Sequence, residues 1–175
     1  MQRLQRGERK CFEMLYERYH IKLFNYLLRL CKDAARAEDI LHDCFIKVIE
    51  HPGKFNPQFR FSTWLYTIAT NLYSNEMRNR QNRQRIQKEK LSYTDTFYTE
   101  EHNRIDRTNF RKELEEFLDN TTEENRLLFT LRFSEELTVP EISQVLDCPE
   151  GTVKSRLFYL MKKMAIVLKA YNPAE

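Results

Sequence analysis

Residues 137–164, LTVPEISQVLDCPEGTVKSRLFYLMKKM, decide the class of fold, because they predict two helices separated by a short turn. Thr138 and Glu141 have the spacing of a capping box, which satisfies free backbone amides at the start of a helix. Apolar residues follow at helical spacing as far as Leu146. The segment Asp147–Gly151 then breaks the helix, since Asp tolerates a left-handed turn and Pro suits the first turn of a new helix. The pattern is typical of a helix-turn-helix.

The second helix of this motif is predicted to have two unlike faces. At about 100° per residue, one face carries Val153, Leu157, Leu160 and Met164. The opposite face carries Lys154, Ser155, Phe158, Tyr159 and Lys162, flanked by Arg156 and Lys163. Residues 151–174 contain no acidic side chain. A helix that enters the major groove of DNA needs an apolar back and a front that can approach bases and phosphates. The alternative, a solvated amphipathic helix, accounts for the lysines but not for the missing acids.

The composition indicates a helical protein without membrane spans. Hydrophobic residues make up 41% of the 175 residues, and three glycines and five prolines are too few for a turn-rich β protein. No run of about 18 apolar residues occurs, and the first ten residues lack the apolar core of a secretion signal. The cysteines, at positions 11, 31, 44 and 148, form no C-x-x-C pair. We therefore expect reduced thiols in a cytoplasmic protein, with no metal or other cofactor.

The net charge of +3 conceals an asymmetry between the two halves of the chain. Residues 1–90 contain 18 basic and 10 acidic residues, net +8, and residues 91–175 contain 11 and 16, net −5. Basic residues concentrate at 78–90 and again at 154–169. Two separated basic patches indicate two contacts with one polyanion.

The periodicity predicts an all-α fold with two small helical domains. In the first, helices are expected over residues 12–30, 34–50 and 64–80, with Ser62 or Thr63 capping the third. In the second helix we expect Ile40, Leu41, Phe45, Val48 and Ile49 to face inward. The first domain is predicted to span residues 1–82, and the second, with helices over 110–118 and 123–133 before the helix-turn-helix, spans 109–175. Residues 83–108 are polar and weakly periodic, which indicates a flexible linker or a frayed helix extension.

Four motifs in order resemble those of a bacterial RNA polymerase sigma factor of the sigma-70 family, in its short extracytoplasmic-function group. They are Phe12–Tyr19 (FEMLYERY), Ala37–Phe45 (AEDILHDCF), Phe61–Asn71 (FSTWLYTIATN) and Gly151–Leu157 (GTVKSRL). The last matches the family motif without change, and the resemblance covers about residues 12–163. The chain departs from it at Thr67 and Thr70, where the family often has basic residues.

The resemblance implies a protein without catalytic residues that binds core RNA polymerase, reads two promoter elements and starts transcription under anti-sigma control. The residues that match the core-binding motif are Glu38, Asp39, Leu41, Asp43 and Phe45. Those that match the reader of the minus-ten element, which captures an unpaired base, are Phe55, Asn56, Arg60, Asn71, Asn75, Arg78, Arg80 and Arg83. Those that match the reader of the duplex minus-thirty-five element are Thr152, Lys154, Ser155, Arg156, Phe158, Tyr159 and Lys162.

Two other functions remain open from the sequence. Glu17-x-x-His20 and Asp39-x-x-His42 have the spacing of ligands in a di-iron helical bundle, although the third helix offers only Glu76 as a further carboxylate. A stand-alone helix-turn-helix regulator that binds DNA as a dimer would explain the second domain, but not the acidic helix or the helix that contains Trp64.

Overall fold

The computed structural model describes residues 1–8, 10–88 and 107–169, and all regular structure in these ranges is helical. The helices are α1 (Gln2–Gln5), α2 (Lys10–Cys31), α3 (Ala34–Glu50), α4 (Phe61–Lys88), α5 (Arg107–Asn120), α6 (Glu123–Phe129), α7 (Val139–Val145) and α8 (Glu150–Val167). A 3-10 turn, Pro52–Lys54, lies between α3 and α4, and a π-helical turn, Thr130–Ser134, follows α6. None of these helices combines the length and apolarity needed to cross a bilayer.

Helices α2, α3 and α4 form the first half of the molecule. Helix α3 has the predicted bounds because Asp33 caps it, accepting a hydrogen bond from the Arg36 amide at 3.2 Å. Its inward face was predicted correctly except at one position. Ile49 is 43% exposed, whereas the smaller Cys44 is fully buried, because helical geometry places position 44 between the buried Ile40 and Val48.

Helix α4 begins three residues earlier than predicted, at Phe61, so the prediction that Ser62 or Thr63 caps it was wrong. The Trp64 amide already donates to the Arg60 carbonyl at 3.3 Å. Phe61 packs against Phe55 and Trp64, with ring centroids 6.1 and 6.0 Å away. This aromatic packing outweighs the capping preference of the hydroxyl residues, and Thr63 is buried within the helix.

The other end of α4 extends to Lys88, so residues 83–88 of the predicted linker are helical, in agreement with the alternative of a helix extension. No Gly or Pro occurs between positions 81 and 107, and Arg, Gln and Lys are good helix formers. Residues 89–106 of the predicted linker lie outside the described residues. Its last two residues, 107 and 108, belong to α5, which begins at Arg107.

The second half contains the predicted helix-turn-helix. The capping box is present: the Glu141 amide donates to the Thr138 hydroxyl at 3.4 Å, and the Thr138 amide donates to the Glu141 carboxylate at 2.9 Å. Asp147 has φ 47°, the left-handed conformation expected of it in the turn. Pro149 directly precedes the first residue of α8. The local sequence therefore defines both ends of α7 and the start of α8.

The two halves pack against each other, an arrangement that the sequence left open. Helix α7 contacts α4, and buried residues of both halves form one continuous apolar cluster. In the part of the chain that the structure describes, three ion pairs join a base of the first half to an acid of the second: Arg29–Glu135 at 2.7 Å, Arg60–Glu141 at 3.3 Å, and Lys32–Asp119. The opposite net charges of the two halves are therefore partly matched within the molecule.

Candidate nucleic-acid interface

The acidic residues of the core-binding motif lie on the outer surface of α3. Glu38, Asp39 and Asp43 are exposed, and Asp39 and Asp43 are one helical turn apart. In contrast, Leu41 is 6% exposed and Phe45 is 3% exposed. These two apolar side chains hold α3 in the core, so of the five predicted residues the three carboxylates are the ones available to a partner.

The loop between α3 and α4, residues 51–60, combines one buried aromatic ring with exposed polar groups. Phe55 is 7% exposed and packs against Trp64, with centroids 5.5 Å apart, so its ring belongs to the core in this conformation. Asn56 is exposed, and its side-chain oxygen accepts from the Gln58 amide at 3.0 Å. Phe59, which the sequence did not single out, is 46% exposed. No periodicity in a loop tells which of several rings points outward.

An open cavity of about 440 Å³ lies beside this loop. Its lining on the side of the chain start and α2 includes Met1, Arg3, Cys11, Met14, Leu15 and Arg18, and on the loop side Phe55, Pro57 and Phe61. Arg3 is paired with Glu8 at 2.7 Å. Apolar walls with two guanidinium groups suit a flat base joined to a phosphate. The sequence did not predict that residues before α2 line this cavity.

Exposed amides and one arginine form a stripe along α4. Asn71, Asn75 and Arg78 are exposed and recur at spacings of four and three residues, so they share one face. Arg80 and Arg83 are also exposed, but helical geometry places Arg80 about half a turn from Asn71. The predicted minus-ten residues of α4 are therefore only partly on one face.

Three further residues, Arg60, Thr67 and Thr70, each make a contact within the protein. The Arg60 guanidinium, just before the helix, contacts Glu141 yet leaves its side chain 79% exposed. Thr70 is 3% exposed and its hydroxyl is 2.7 Å from the Tyr26 hydroxyl. The Thr67 hydroxyl donates to the Thr63 carbonyl at 2.9 Å. Thr70 therefore belongs to the core and does not face a ligand.

Helix α8 has the two faces that the sequence predicted. Val153 is 0% exposed and Leu160 is 1% exposed, whereas Phe158 and Tyr159 are each 63% exposed. The other exposed residues of the predicted interface on α8 are Lys154, Ser155, Arg156 and Lys162, and Thr152 is half-buried. This face gathers cations, hydroxyls and aromatic rings on one convex surface.

The contacts of this face leave most of it accessible. Lys154 pairs with Glu150 at 3.5 Å on its own helix, and Arg156 pairs with Glu124 of α6 at 3.8 Å. The Ser155 hydroxyl donates to the Thr152 carbonyl at 3.0 Å. Exposed ion pairs of this kind contribute little to stability, so both cations can exchange them for phosphate.

Burial and hydrogen bonds to two acids of the second half shift the pKa of Glu141 and of Tyr66. Partial burial raises the pKa of Glu141, but the Thr138 hydrogen bonds and the charge of Arg60 outweigh it and hold that pKa below its usual range. Glu135, whose side chain is 7% exposed, accepts from the Tyr66 hydroxyl. Burial, followed by this carboxylate, raises the pKa of Tyr66, which keeps the hydroxyl protonated and able to donate.

The described residues give no support to a metal centre. No three His, Cys, Asp or Glu side chains lie close enough together there to bind a metal ion. In one of the two predicted ligand pairs, the His20 ring stacks on Tyr16 at 4.8 Å and its Nδ1 bonds to the Tyr16 carbonyl at 2.9 Å. His20 is thus part of the packing of α2.

Two protein families match separate parts of the chain. Sigma-70 region 2 matches residues 15–83, and Sigma-70, region 4 matches residues 111–164. The chain is 32% identical to the RNA polymerase sigma-H factor of Pseudomonas aeruginosa over 167 residues, which covers 90% of this chain and 86% of that protein. It is 29% identical to the ECF RNA polymerase sigma-E factor of Haemophilus influenzae over 166 residues, covering 90% of this chain and 87% of that protein.

Solved structures share the fold at lower identity. The sigma factor RpoE from Bartonella quintana, in complex with the anti-sigma factor NepR, superposes with a TM-score of 0.71 at 19% identity, covering 91% of this chain and 98% of that one. CnrH in complex with the cytosolic domain of CnrY gives a TM-score of 0.68 at 18% identity, covering 97% and 95%. At these identities the similarity establishes the fold.

Proposed function

The chain belongs to the sigma-70 family of bacterial RNA polymerase sigma factors, in the extracytoplasmic-function group. We therefore propose that three of its surfaces each bind a different partner when transcription starts. One surface binds core polymerase, a second captures the unpaired minus-ten strand and a third reads the duplex minus-thirty-five element. The chain contributes binding energy and positioning, and the polymerase contributes the chemistry. We place this activity in the cytoplasm.

The polymerase-binding surface is the exposed acidic face of α3. Glu38, Asp39 and Asp43 project from a helix that Leu41 and Phe45 anchor in the core. A rigidly held row of carboxylates suits a basic surface on the partner, because charge complementarity directs encounter and fixes the orientation of docking. Leu41 and Phe45 support this surface without touching the partner.

The minus-ten surface combines the loop 51–60 with the exposed stripe of α4. Side-chain amides at Asn56, Asn71 and Asn75 can bond to the edges of unpaired bases, while Arg60 and Arg78 suit the adjoining phosphates. The cavity beside the loop offers apolar walls for a base taken out of the stack. Phe55 serves as a wall of this cavity, and Arg80 and Arg83 face other directions and suit phosphates further along the strand.

The minus-thirty-five surface is the polar face of α8, and the division of this helix into two faces is the observation that carries the proposal. Val153 and Leu160 are buried, while Lys154, Ser155, Phe158, Tyr159 and Lys162 are presented to solvent. A helix held by its apolar back in this way can enter the major groove without rearranging the domain. Thr152 and Arg156 flank the groove-facing residues.

An anti-sigma factor is the regulatory partner that this proposal includes. The similarity to the sigma factor RpoE, solved in complex with the anti-sigma factor NepR, supports it. The exposed apolar residues of the minus-thirty-five surface, Phe158 and Tyr159, are 63% exposed and suit a protein partner as well as DNA. A protein bound there would exclude the promoter.

A mobility-shift experiment with and without core polymerase tests the proposal against a stand-alone regulator. We expect the isolated chain to bind promoter duplex weakly, because the minus-ten surface needs an unpaired strand and unpairing costs a few kcal/mol. With core polymerase added, binding becomes tight and specific. Equally tight, specific binding by the chain alone would instead favour the regulator.

A further inference from the structure

Gln5, at the end of α1, connects the start of the chain to the loop between α3 and α4. Its half-buried side chain donates two hydrogen bonds through Nε2, to the carbonyls of Pro52 and Phe55, each at 2.9 Å. These acceptors are 47 and 50 residues away in sequence and lie at the two ends of the 3-10 turn Pro52–Lys54. A primary amide has two N–H groups, so one side chain can satisfy both carbonyls at once.

Helix α1 is itself held in place, which gives Gln5 a fixed position. The helix has only four residues and would not be stable alone. Leu4 is 5% exposed and belongs to the apolar core, and α1 contacts both α2 and the 3-10 turn. Gly7, at φ +90°, then turns the chain toward α2, with its amide donating to the Leu4 carbonyl at 2.9 Å.

The turn that Gln5 holds leads directly into the proposed minus-ten surface. Within the turn, the Lys54 amide bonds to the His51 carbonyl at 3.0 Å and the Phe55 amide bonds to the Pro52 carbonyl at 3.2 Å. These short-range bonds shape the turn but do not attach it to the rest of the protein. Gln5 supplies that attachment on one side, and the packing of Phe55 on Trp64 supplies it on the other.

We infer that Gln5 is a positioning residue for minus-ten recognition, acting through the backbone of the loop 51–60. By fixing both ends of the 3-10 turn, it keeps the wall of the cavity in place and presents Asn56 toward the unpaired strand. It does so without touching DNA. This inference rests on the proposed function, because the loop matters in this way only if it captures the minus-ten strand.

Open-complex kinetics with core polymerase test this inference. Gln5→Met keeps the length of the side chain but removes both donors, and Gln5→Lys keeps a donor group of similar reach. Arg6→Ala changes the exposed residue that directly follows α1. We expect Gln5→Met to slow the isomerisation to the open complex at least five-fold and to reduce discrimination against promoters with an altered minus-ten element. The initial binding constant, the affinity for core polymerase and the melting temperature should change little. Gln5→Lys should recover much of the rate, and Arg6→Ala should match the wild type.

The outcomes separate this role from the proposed function. If Gln5→Met opens the promoter at the wild-type rate with wild-type discrimination, Gln5 does not position the loop. If Gln5→Met, Gln5→Lys and Arg6→Ala all lower the active fraction equally and leave the isomerisation rate unchanged, α1 has only a structural role. If the wild-type chain with core polymerase opens no promoter, the proposed function fails and this role fails with it.

Discussion

A single buried hydroxyl pair joins α2 to α4 and offers a test at the scale of residues. Tyr26 is 0% exposed, and its hydroxyl lies 2.7 Å from that of Thr70, which is 3% exposed. Burial raises the pKa of Tyr26, so the phenol stays protonated. Each hydroxyl therefore depends on the other for a hydrogen-bond partner in the core.

We predict that Tyr26→Phe and Thr70→Val each lower the free energy of unfolding by about 1–3 kcal/mol, because each leaves a buried hydroxyl without its partner. The double variant should lower the free energy of unfolding by clearly less than the sum of the two single variants, since it removes both polar groups and keeps their shape. Urea unfolding of the four proteins measures this. Strict additivity would show that the pair does not act as a unit.

Which side chains of the candidate site are exposed was the feature that the sequence predicted least well. Periodicity placed Val153 on the buried face of α8 and Lys154 on the exposed face, because a regular helix fixes direction. It could not place Phe55, since a loop has no period, and the ring is drawn into the core by Trp64 and Phe61. The contacts of Gln5 could not be predicted, because its hydrogen-bond partners are 47 and 50 residues away in the sequence.

At the scale of elements, helix ends were predictable where a side chain caps them. The Thr138–Glu141 box and the left-handed Asp147 are local signals, and both are present. The start of α4 was not predictable from local signals, because aromatic packing among Phe55, Phe61 and Trp64 determines it. Tertiary contacts override local preference in this way wherever large side chains cluster.

The charge of Glu141 makes the stability of α7 depend on pH. Its pKa is held below the ordinary value of 4.5, so its contribution to stability is fully present above pH 4.5 and is lost as the pH falls through the lowered value. We predict that Glu141→Gln, which keeps the capping geometry, melts at a lower temperature than the wild type at pH 7. The gap should shrink as the pH falls below 4.5. Glu116→Gln, an exposed control on α5, should show a smaller difference in melting temperature from the wild type. A difference for Glu141→Gln that does not change with pH would contradict this prediction.

The proposed function predicts that the acidic face of α3 is needed for binding core polymerase. We expect Asp39→Arg with Asp43→Arg to abolish most core-polymerase binding, because each lost charged hydrogen bond contributes about 1.5–3 kcal/mol and the new charges repel a basic partner. Glu13→Arg with Glu17→Arg is the matched control, with the same spacing and charge change on exposed positions of α2. Fluorescence titration with labelled core polymerase measures both. Equal affinities for the two double variants would remove α3 from the interface.

At the scale of the whole molecule, the charge asymmetry has a second consequence besides DNA binding. Among the described residues, the ion pairs between the halves place the base in the first half and the acid in the second. The sequence revealed the asymmetry but not this pairing, because it arises from side chains up to 106 positions apart, as in Arg29–Glu135. Arg60, which the proposed function assigns to the minus-ten strand, is therefore also the partner of Glu141 in the packed protein.

If the two halves read separate promoter elements as proposed, the packed arrangement is too small to bind both at once. A compact chain of 175 residues has a radius of gyration of about 16 Å and a diameter of about 40 Å. Elements about 25 base pairs apart are separated by about 85 Å of duplex. On the proposed function, we therefore expect the two halves to separate before they bind one promoter, with core polymerase holding them apart.

We predict that Glu135→Ala loosens this packing. The variant leaves Arg29 and the Tyr66 hydroxyl without their shared acceptor, so the radius of gyration in small-angle scattering should rise and become more sensitive to salt. Glu136→Ala removes the same charge from an exposed neighbour and should scatter like the wild type. Identical scattering from both variants would show that Glu135 does not hold the halves together.

The central claim is that two surfaces on one chain read two separate promoter elements when core polymerase is present. Selection of open complexes from a promoter library randomised across both elements tests it most directly. We predict that the wild type with core polymerase enriches two separated sequence windows. Lys154→Ala with Ser155→Ala should alter only the upstream window, and Asn71→Ala with Asn75→Ala only the downstream one. Enrichment of a single window, or the same enrichment without core polymerase, would contradict the account.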